Sequence, residues 1–447
     1  MRAAALRLDA LLTRRVLLTG AVVVVVLDVV GLVVNVVLGH PPRTFIGTAL
    51  LPDYVAHWTG GRLLLDGRTD TLYDVAVQHT VQTPVTGSAT ELSWFVGPPV
   101  AAVLFAPFAL LPYPASAAAW TVVSLALLVG SAVLARPLLP RLGSARTWPA
   151  VVLVVAATQP VLEVVGIGQD SALSLFLWVC GLRLLASGRD AAAGAVLALG
   201  LVKPQLFALV PLLLLVQRRW RGLAAWCAAA SGLALVSVAV VGPRAVADWA
   251  SVLVSQEYHD RIQSFQAWMM QGVPSFLTAV VPPALGPAAG AVGYAVAAAL
   301  VVATLVVAWR APRGAVVPVW ALGLLTTVVA NPHLLGYDLV VALPALLVVL
   351  DRHDRPFVRL SLLLMAALTW SSLPRHRWAG GLEWPGVVLA ASWCTLPLLG
   401  LWAVMWRDCR LLPSEPSSER VASGAVPASA ATGAGSGRPA ADGRMPG

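Results

Sequence analysis

The chain has 447 residues, of which 58% are hydrophobic and only 11% are charged. Soluble domains carry about 25% charged residues, so this composition excludes a soluble protein and indicates an integral membrane protein. The net charge of +9 does not indicate nucleic-acid binding, because the arginines form short clusters between apolar runs, as the positive-inside rule predicts for membrane proteins.

The first apolar run covers residues 16–38 and follows a group of arginines that includes Arg14 and Arg15. It is longer than the hydrophobic core of a cleaved signal peptide, and no small-residue cleavage site follows it. We therefore expect it to remain attached as the first transmembrane helix, with residues 1–15 in the cytoplasm.

Further apolar runs approach the roughly 20 residues that a spanning helix needs. In chain order they are 95–112, 115–135, 148–165, 170–186, 191–216, 222–242, 285–309, 315–330, 336–350, 357–373 and 385–406. These runs are too long for barrel strands and do not alternate, so helices are expected. The sequence predicts an all-α, polytopic membrane domain over residues 16–406, with ten to twelve transmembrane helices.

The middle of the chain allows two topologies. If 95–112 and 191–216 each cross the membrane once, there are twelve spans, and the arginines at 136, 141 and 146 lie outside. If 95–112 is re-entrant and 191–216 folds back at Lys203-Pro204, there are ten spans and those arginines lie inside. The positive-inside rule applies to both versions and leaves the choice open here.

Two long polar intervals fall outside the membrane in either topology, residues 39–94 and 243–284. Long connections are usually functional in compact proteins, and the first interval holds five of the 21 acidic residues. Residues 412–447 are rich in Ser, Pro, Ala and Gly and predict a disordered cytoplasmic tail.

The cysteines lie in or at the ends of apolar segments, without the close pairing that a zinc site needs. They are Cys180, Cys227, Cys394 and Cys409. We predict no disulfide framework, no metal site and no cofactor.

The first candidate for chemistry is Asp53, which opens the first outer loop. It stands four residues before His57, so the two side chains share one face of a helix. A partly desolvated carboxylate beside Tyr54 and Trp58 fits a general base. Because Pro52-Asp53 is also a plausible helix start, Asp53 could instead serve only as a cap.

Lys203 is the only lysine among 30 basic residues and lies inside an apolar run. A charge there costs at least ~2.5 kcal/mol, and such cations usually face a cavity and a partner. A phosphate group suits a point-charge ammonium. The alternative is a lysine that extends to a nearby interface.

Three further groups interrupt the apolar runs. Asn331-Pro332-His333 predicts a helix end at an outer cavity, where His333 binds phosphate or makes a structural hydrogen bond. Gly168-Gln169 reads as a tight turn or a site element. Arg375 and Arg261 fall in outer segments, where a basic residue holds an anionic headgroup or simply anchors the chain at the interface.

Several sequence blocks resemble glycosyltransferase family 87, a family of bacterial membrane enzymes. In chain order the blocks are Asp53-Tyr54…Trp58…Gly61-Arg62…Gly67…Leu72-Tyr73-Asp74, Trp94…Pro98-Pro99…Pro107…Leu111-Pro112-Tyr113, Gly168-Gln169, Lys203-Pro204-Gln205 with Arg218-Arg219-Trp220, Met269-Met270-Gln271…Pro274-Ser275-Phe276, and Asn331-Pro332-His333…Tyr337-Asp338-Leu339. Each block alone is weak, but together they keep the family's order over roughly residues 20 to 405. The chain departs from the family at Val96-Gly97, where Tyr or Trp-Tyr often precedes the two prolines, and at Asn331-Pro332-His333, where the family often has Thr-Pro-Tyr.

The resemblance implies a GT-C-type helical fold and transfer of a hexose, often mannose, from a polyprenyl-phosphate sugar to a lipid or glycan acceptor outside the plasma membrane. It implies catalysis by Asp53 as the base, with help from His333. We assign the donor phosphate to Lys203, Arg261 and Arg375. The predicted substrate contacts are Tyr54, Trp58, Gln169, Gln205 and Asp338.

Two other classes of function fit parts of the sequence. A transporter or a lipid-carrier flippase would also use many spans and intramembrane charges, and it predicts paired broken helices with an internal repeat. No such repeat is visible in the sequence. A protein of envelope assembly without turnover would make Asp53 and Lys203 replaceable.

Overall fold

The computed structural model describes residues 9–87, 92–260, 267–372, 375, 378 and 382–412. Its regular secondary structure in this part of the chain is helical, and only isolated bridges near His40, Arg43 and Ala49 have β character. The prediction of an all-α fold is confirmed. The described residues belong to one compact unit, and the tail predicted for 412–447 lies outside them apart from Leu412.

The principal helices are numbered in chain order. They are α1 (Arg14–Val37), α2 (Tyr54–Leu65), α3 (Val75–Thr86), α4 (Pro99–Ala109), α5 (Tyr113–Ala135), α6 (Trp148–Ala156), α7 (Gln159–Glu163), α8 (Ser171–Ala186), α9 (Asp190–Ala198), α10 (Val210–Val216), α11 (Trp220–Val241), α12 (Pro243–Leu253), α13 (Val273–Val280), α14 (Gly286–Arg310), α15 (Val316–Ala330), α16 (Leu343–Arg352), α17 (Pro356–Trp370) and α18 (Thr395–Arg410). Short 3₁₀ turns extend several of them, including Leu199–Val202, Pro204–Leu206 and Gly336–Ala342.

Four of the described helical segments are long and apolar enough to cross a membrane by themselves: Arg14–Val37, Tyr113–Leu138, Trp220–Val241 and Pro283–Arg310. The pair Trp148–Ala156 and Gln159–Ile167 passes the same test but is bent by 60°. Other apolar helices, such as α8 and α15, are shorter than a bilayer requires. These segments make the chain a membrane protein, and the number of spans stays a prediction.

The run 95–112 forms a short helix whose two ends contact the same loop. α4 has 11 residues, about 16 Å of helix, which is half of a membrane core. Tyr73 donates its hydroxyl to the Gly97 carbonyl at 2.9 Å, and the Trp58 indole donates to the Leu111 carbonyl at 3.4 Å. Because Tyr73 and Trp58 both belong to the first polar interval, this run accords with the ten-span version.

The run 191–216 is a helical hairpin that turns at Lys203-Pro204. Its two ends meet, since Arg219 Nη1 lies 2.7 Å from Asp190 Oδ1. A Cβ at Gly194 would stand 1.9 Å from the Gly222 carbonyl oxygen, so only glycine allows α9 and α11 this approach. A run whose ends touch does not cross the membrane once, which again accords with ten spans.

Contacts between distant parts of the chain involve four arginines, namely Arg14, Arg141, Arg146 and Arg359. Arg14 Nη2 donates to the Arg146 carbonyl at 3.4 Å, and the Arg141 amide donates to Asp351 at 3.0 Å. Arg359 bonds to both Asp9 and Asp354. The arginines after α5 therefore lie on the same side as the chain start, as the ten-span version requires.

Candidate active site

A cavity of about 1030 Å³ lies where the polar sequence blocks converge. Its wall combines the start of α2, the segment before α4, the turn before α8, the tip of the 191–216 hairpin and the turn after α15. The residues on it that sequence analysis singled out are Asp53, His57, Gln169, Lys203, Gln205 and His333. Segments far apart in the chain thus supply one site.

Asp53 precedes α2 without capping it. Its side chain makes no hydrogen bond to the helix start, so the capping alternative fails. The Asp53 amide donates to the Ile167 carbonyl at 3.1 Å, and its Oδ2 accepts from Gln169 Nε2 at 2.7 Å. The carboxylate is therefore fixed by a neighbouring segment and faces the cavity.

The contact between Asp53 and Gln169 depends on Gly168. This residue has φ +79°, a left-handed conformation that favours glycine. A Cβ there would lie 2.7 Å from Tyr54 Cβ and 2.8 Å from Leu51 Cβ. Trp120 holds the turn by donating its indole N–H to the Gly168 carbonyl at 2.9 Å.

Burial raises the pKa of Asp53 above its usual range, against the opposing effects of the Gln169 hydrogen bond and the Lys203 charge. A carboxylate with a raised pKa holds a proton more strongly, which is the property that a general base needs. Because Gln169 occupies Oδ2, Oδ1 is the oxygen that remains for a substrate.

Lys203 is held by two buried carboxylates. Its ammonium lies 2.9 Å from Asp170 Oδ1, 2.7 Å from Asp338 Oδ1 and 3.0 Å from the Ser171 hydroxyl oxygen. Ser171 in turn donates to Asp338 at 2.6 Å. The ammonium has three N–H donors, and these contacts use all of them. The group of two carboxylates and one ammonium carries a net charge of −1.

The assignment of Lys203 to the donor phosphate stays a prediction, and this network weighs against it. Its charge is already more than balanced, and a phosphate would have to displace one of the carboxylates. Asp338, predicted to contact substrate, is buried behind Lys203 and does not line the cavity. Through its contacts with Asp170, Ser171 and Asp338, Lys203 joins the hairpin tip to the start of α8 and to the Gly336–Ala342 turn.

The turn that carries His333 is fixed from two sides. Asn331 accepts from the His333 amide at 2.9 Å and donates to the Gln205 carbonyl at 3.1 Å. Ser275 donates its hydroxyl to the Pro332 carbonyl at 2.6 Å, and a Cβ at Gly272 would overlap the Asn331 carbonyl oxygen. Gly272 and the start of α13 therefore position the His333 turn. Burial lowers the pKa of His333, which favours the neutral imidazole.

Two aromatic residues predicted to bind substrate belong to the packing instead. Tyr54 is fully buried, stacks on Trp120 with centroids 5.8 Å apart and shares a 2.8 Å hydrogen bond with Ser116. Trp58 packs edge-on against Tyr113 and does not line the cavity. Sequence alone could not show which face of α2 they occupy.

The two arginines assigned to the phosphate have different outcomes. Arg375 donates to the backbone carbonyls of Leu368, Ser371, Leu389 and Ala391 and lies away from the cavity, so the structure gives it a role in holding the chain around it. Arg261 lies outside the described residues. Within the described part, Lys203 is the one lysine or arginine on the cavity wall.

Comparison with known proteins agrees with this convergence of blocks. The model of glycosyltransferase family 87 matches residues 95–335. The chain belongs to this family. No curated protein and no solved structure matches the chain. Membership in family 87 makes the chain a membrane glycosyltransferase, which uses a sugar donor and an acceptor.

Family membership bears on the competing transporter hypothesis. That hypothesis predicts paired broken helices, and the described residues include two broken elements, the bent pair α6–α7 and the hairpin that turns at Lys203. In a glycosyltransferase the break at Lys203 has another use, because it places Lys203 on the same cavity wall as Asp53. Among the residues that the structure describes, no three His, Cys, Asp or Glu side chains form a group that could hold a metal ion.

Proposed function

We propose that this glycosyltransferase transfers a hexose, with mannose as the first candidate, from a polyprenyl-phosphate sugar to a lipid or glycan acceptor. The proposal rests on the position and contacts of Asp53. It is a carboxylate on a large cavity, fixed through one oxygen by Gln169 and not used as a helix cap. These are the features of a base that acts on a bound hydroxyl group.

The reaction needs one proton transfer and one displacement. Asp53 Oδ1 takes the proton of the acceptor hydroxyl as its oxygen attacks the anomeric carbon of the hexose. The bond from that carbon to the phosphate oxygen breaks, and polyprenyl phosphate leaves with the electron pair. The phosphate is already a good leaving group, so the protein supplies a base and orientation. His333, in the turn after α15, and Gln205, at the tip of the 191–216 hairpin, are proposed to orient the substrates.

The cavity has an apolar flank suited to the prenyl chain. Leu209, Leu212 and Val301 line it, and Leu212 is also exposed on the outer surface of α10. α14, which carries Val301, is one of the helices long enough to cross a membrane. We propose that the tail lies between α10 and α14, while the phosphate stays near the polar wall.

Arg261 is our proposed partner for the donor phosphate. It follows Tyr258, a cavity residue, by three peptide units, which span at most about 11 Å. An arginine can bind two phosphate oxygens with its planar fork of donors. The described cavity wall offers no uncompensated guanidinium or ammonium.

We further propose that the cavity faces the outside of the plasma membrane. α8 begins at the cavity, beside Asp170, and carries Arg183 in its last turn. α11 runs in the opposite sense. It begins beside Arg219, at the base of the hairpin, and leads to α12, whose Trp249 lines the cavity. Basic residues thus concentrate at the helix ends away from the cavity, and the positive-inside rule assigns such ends to the cytoplasm.

A transfer assay tests the proposal. Membranes that contain the protein, and matched membranes without it, receive radiolabelled polyprenyl-phosphate mannose and a lipid extract of the host. Label that moves to a new lipid or glycan only with the protein supports the proposal. If mannose and the other polyprenyl-phosphate hexoses all fail to transfer, the proposed donor class is wrong.

A further inference from the structure

Three buried ring nitrogens on the cavity wall lack a hydrogen-bond partner in the described part of the chain, those of His57, Trp94 and His333, and the proposed function already uses His333. His57 Nδ1 and Trp94 Nε1 are buried, and neither has a partner in the described part of the chain. Both residues line the cavity. A buried donor or acceptor without a partner costs about 1–3 kcal/mol. Such groups in the wall of an active-site cavity indicate a ligand that satisfies them.

His57 is held in place by the fold. Its ring stacks on Phe105 with centroids 4.4 Å apart and an interplanar angle of 19°. It stands one helical turn after Asp53, and both side chains reach the cavity from the same face of α2. Burial lowers the pKa of His57, so the neutral imidazole, with one donor and one acceptor nitrogen, is favoured.

Trp94 adds a second neutral group. Its indole lies edge-on to Tyr258, with centroids 6.1 Å apart, and its N–H can only donate. Neutral donors and acceptors beside flat rings match the hydroxyl groups and the apolar ring faces of a sugar. A phosphate group prefers charged donors, and neither residue provides one.

We propose that His57 and Trp94 form a hydroxyl-binding subsite, which takes a sugar ring in the cavity. This inference rests on the proposed function, since that function brings sugars to the cavity. The sugar is either the hexose of the donor or a sugar of the acceptor, and both present the same hydroxyl chemistry. His57 and Trp94 are then contact residues in addition to Asp53.

The chain contains matched controls for this subsite. His79 Nε2 on α3 and Trp406 Nε1 on α18 are also buried and also lack a partner in the described part of the chain. Neither residue lines the cavity. Replacing His57, Trp94, His79 and Trp406 by Phe, one at a time, keeps an aromatic ring and removes the ring nitrogens in each case.

The test compares two lipids on the full-length protein in lipid nanodiscs. Binding is measured for polyprenyl-phosphate mannose and for sugar-free polyprenyl phosphate of the same chain length. We expect His57→Phe and Trp94→Phe each to weaken the binding of the sugar-bearing lipid about 5- to 10-fold, which corresponds to the loss of one hydrogen bond. The affinity of both variants for the sugar-free lipid should stay within about twofold of the wild-type value. The affinities of the two control variants for either lipid should do the same.

The outcomes separate the subsite from the proposed function. If the wild type binds neither lipid, with mannose or another hexose, the proposed function fails and the subsite with it. If the wild type binds both, and the variants change only the apparent KM for the acceptor in the transfer assay, the sugar belongs to the acceptor. If the variants weaken the binding of both lipids equally, or alter neither lipid binding nor the KM for the acceptor, the hydroxyl subsite is refuted.

Discussion

Removing the charge of Lys203 should destabilise the protein far more than removing a surface charge. The Lys203→Met change keeps the length of the side chain and deletes the ammonium. It leaves two carboxylates, Asp170 and Asp338, whose side chains are only 4% and 3% exposed. Breaking a buried ion pair in this way costs about 3–5 kcal/mol, because the remaining charge is desolvated and unpaired.

The chain offers an exposed pair for comparison. Arg62 and Asp66 are 2.6 Å apart, with side chains 43% and 33% exposed. Pairs of this kind contribute about 0.2–1 kcal/mol, because water already screens them. Arg62→Met should therefore change the thermal unfolding midpoint in nanodiscs only slightly, while Lys203→Met should lower it strongly.

A compensating variant separates charge from packing. In Lys203→Met combined with Asp170→Asn and Asp338→Asn, the group has no charge but nearly the same volume. We expect it to recover most of the lost stability, since neutral replacements of buried ion groups are often tolerated. Equal midpoints for Lys203→Met and Arg62→Met, or no recovery in the triple variant, would refute the electrostatic account of the hairpin tip.

Two further predictions concern the residues around Asp53. Gln169→Leu removes a hydrogen bond that lowers the pKa of Asp53, so this pKa should rise further. The acid limb of the pH–rate profile should then move to higher pH. An unchanged acid limb would show that Gln169 does not affect the pKa of the base. Gly168→Ala should lower transfer and the unfolding midpoint, because the new Cβ would meet Tyr54 and Leu51. Gly188→Ala is its control, with a similar φ of +73° but open space around it, so it should cost only about 1 kcal/mol. Similar losses in both glycine variants would mean that backbone conformation, and not the close approach, explains Gly168.

The residues on the cavity wall were easiest to single out from the sequence where the signal was local. Asp53, Lys203 and His333 each interrupt an apolar run or open a polar one, and burying such groups in a membrane is costly enough to make them stand out. The helical class followed from the lengths of the apolar runs. The four-residue spacing from Asp53 to His57 also predicted correctly that both share one face, although it gave no role to His57.

What the sequence could not supply was the choice of partners. The two carboxylates that bind Lys203 come from other segments of the chain, so its pairing depends on tertiary contacts. The same holds for Arg375, whose donors reach backbone carbonyls. The choice between ten and twelve spans likewise depends on contacts such as that of Asp190 with Arg219, which no local pattern encodes.

The central claim is that Asp53 is the base of a glycosyl transfer, and Asp53→Asn tests it most directly. Asn has the same shape and cannot take up a proton. Asp74→Asn is the control, because Asp74 is a true helix cap that accepts from the Val77 amide at 3.0 Å and lies off the cavity. The measurement is the transfer rate at saturating donor and equal expression. We expect Asp53→Asn to lower it about 10²- to 10⁴-fold and Asp74→Asn to leave it unchanged. Full activity of Asp53→Asn would contradict the account.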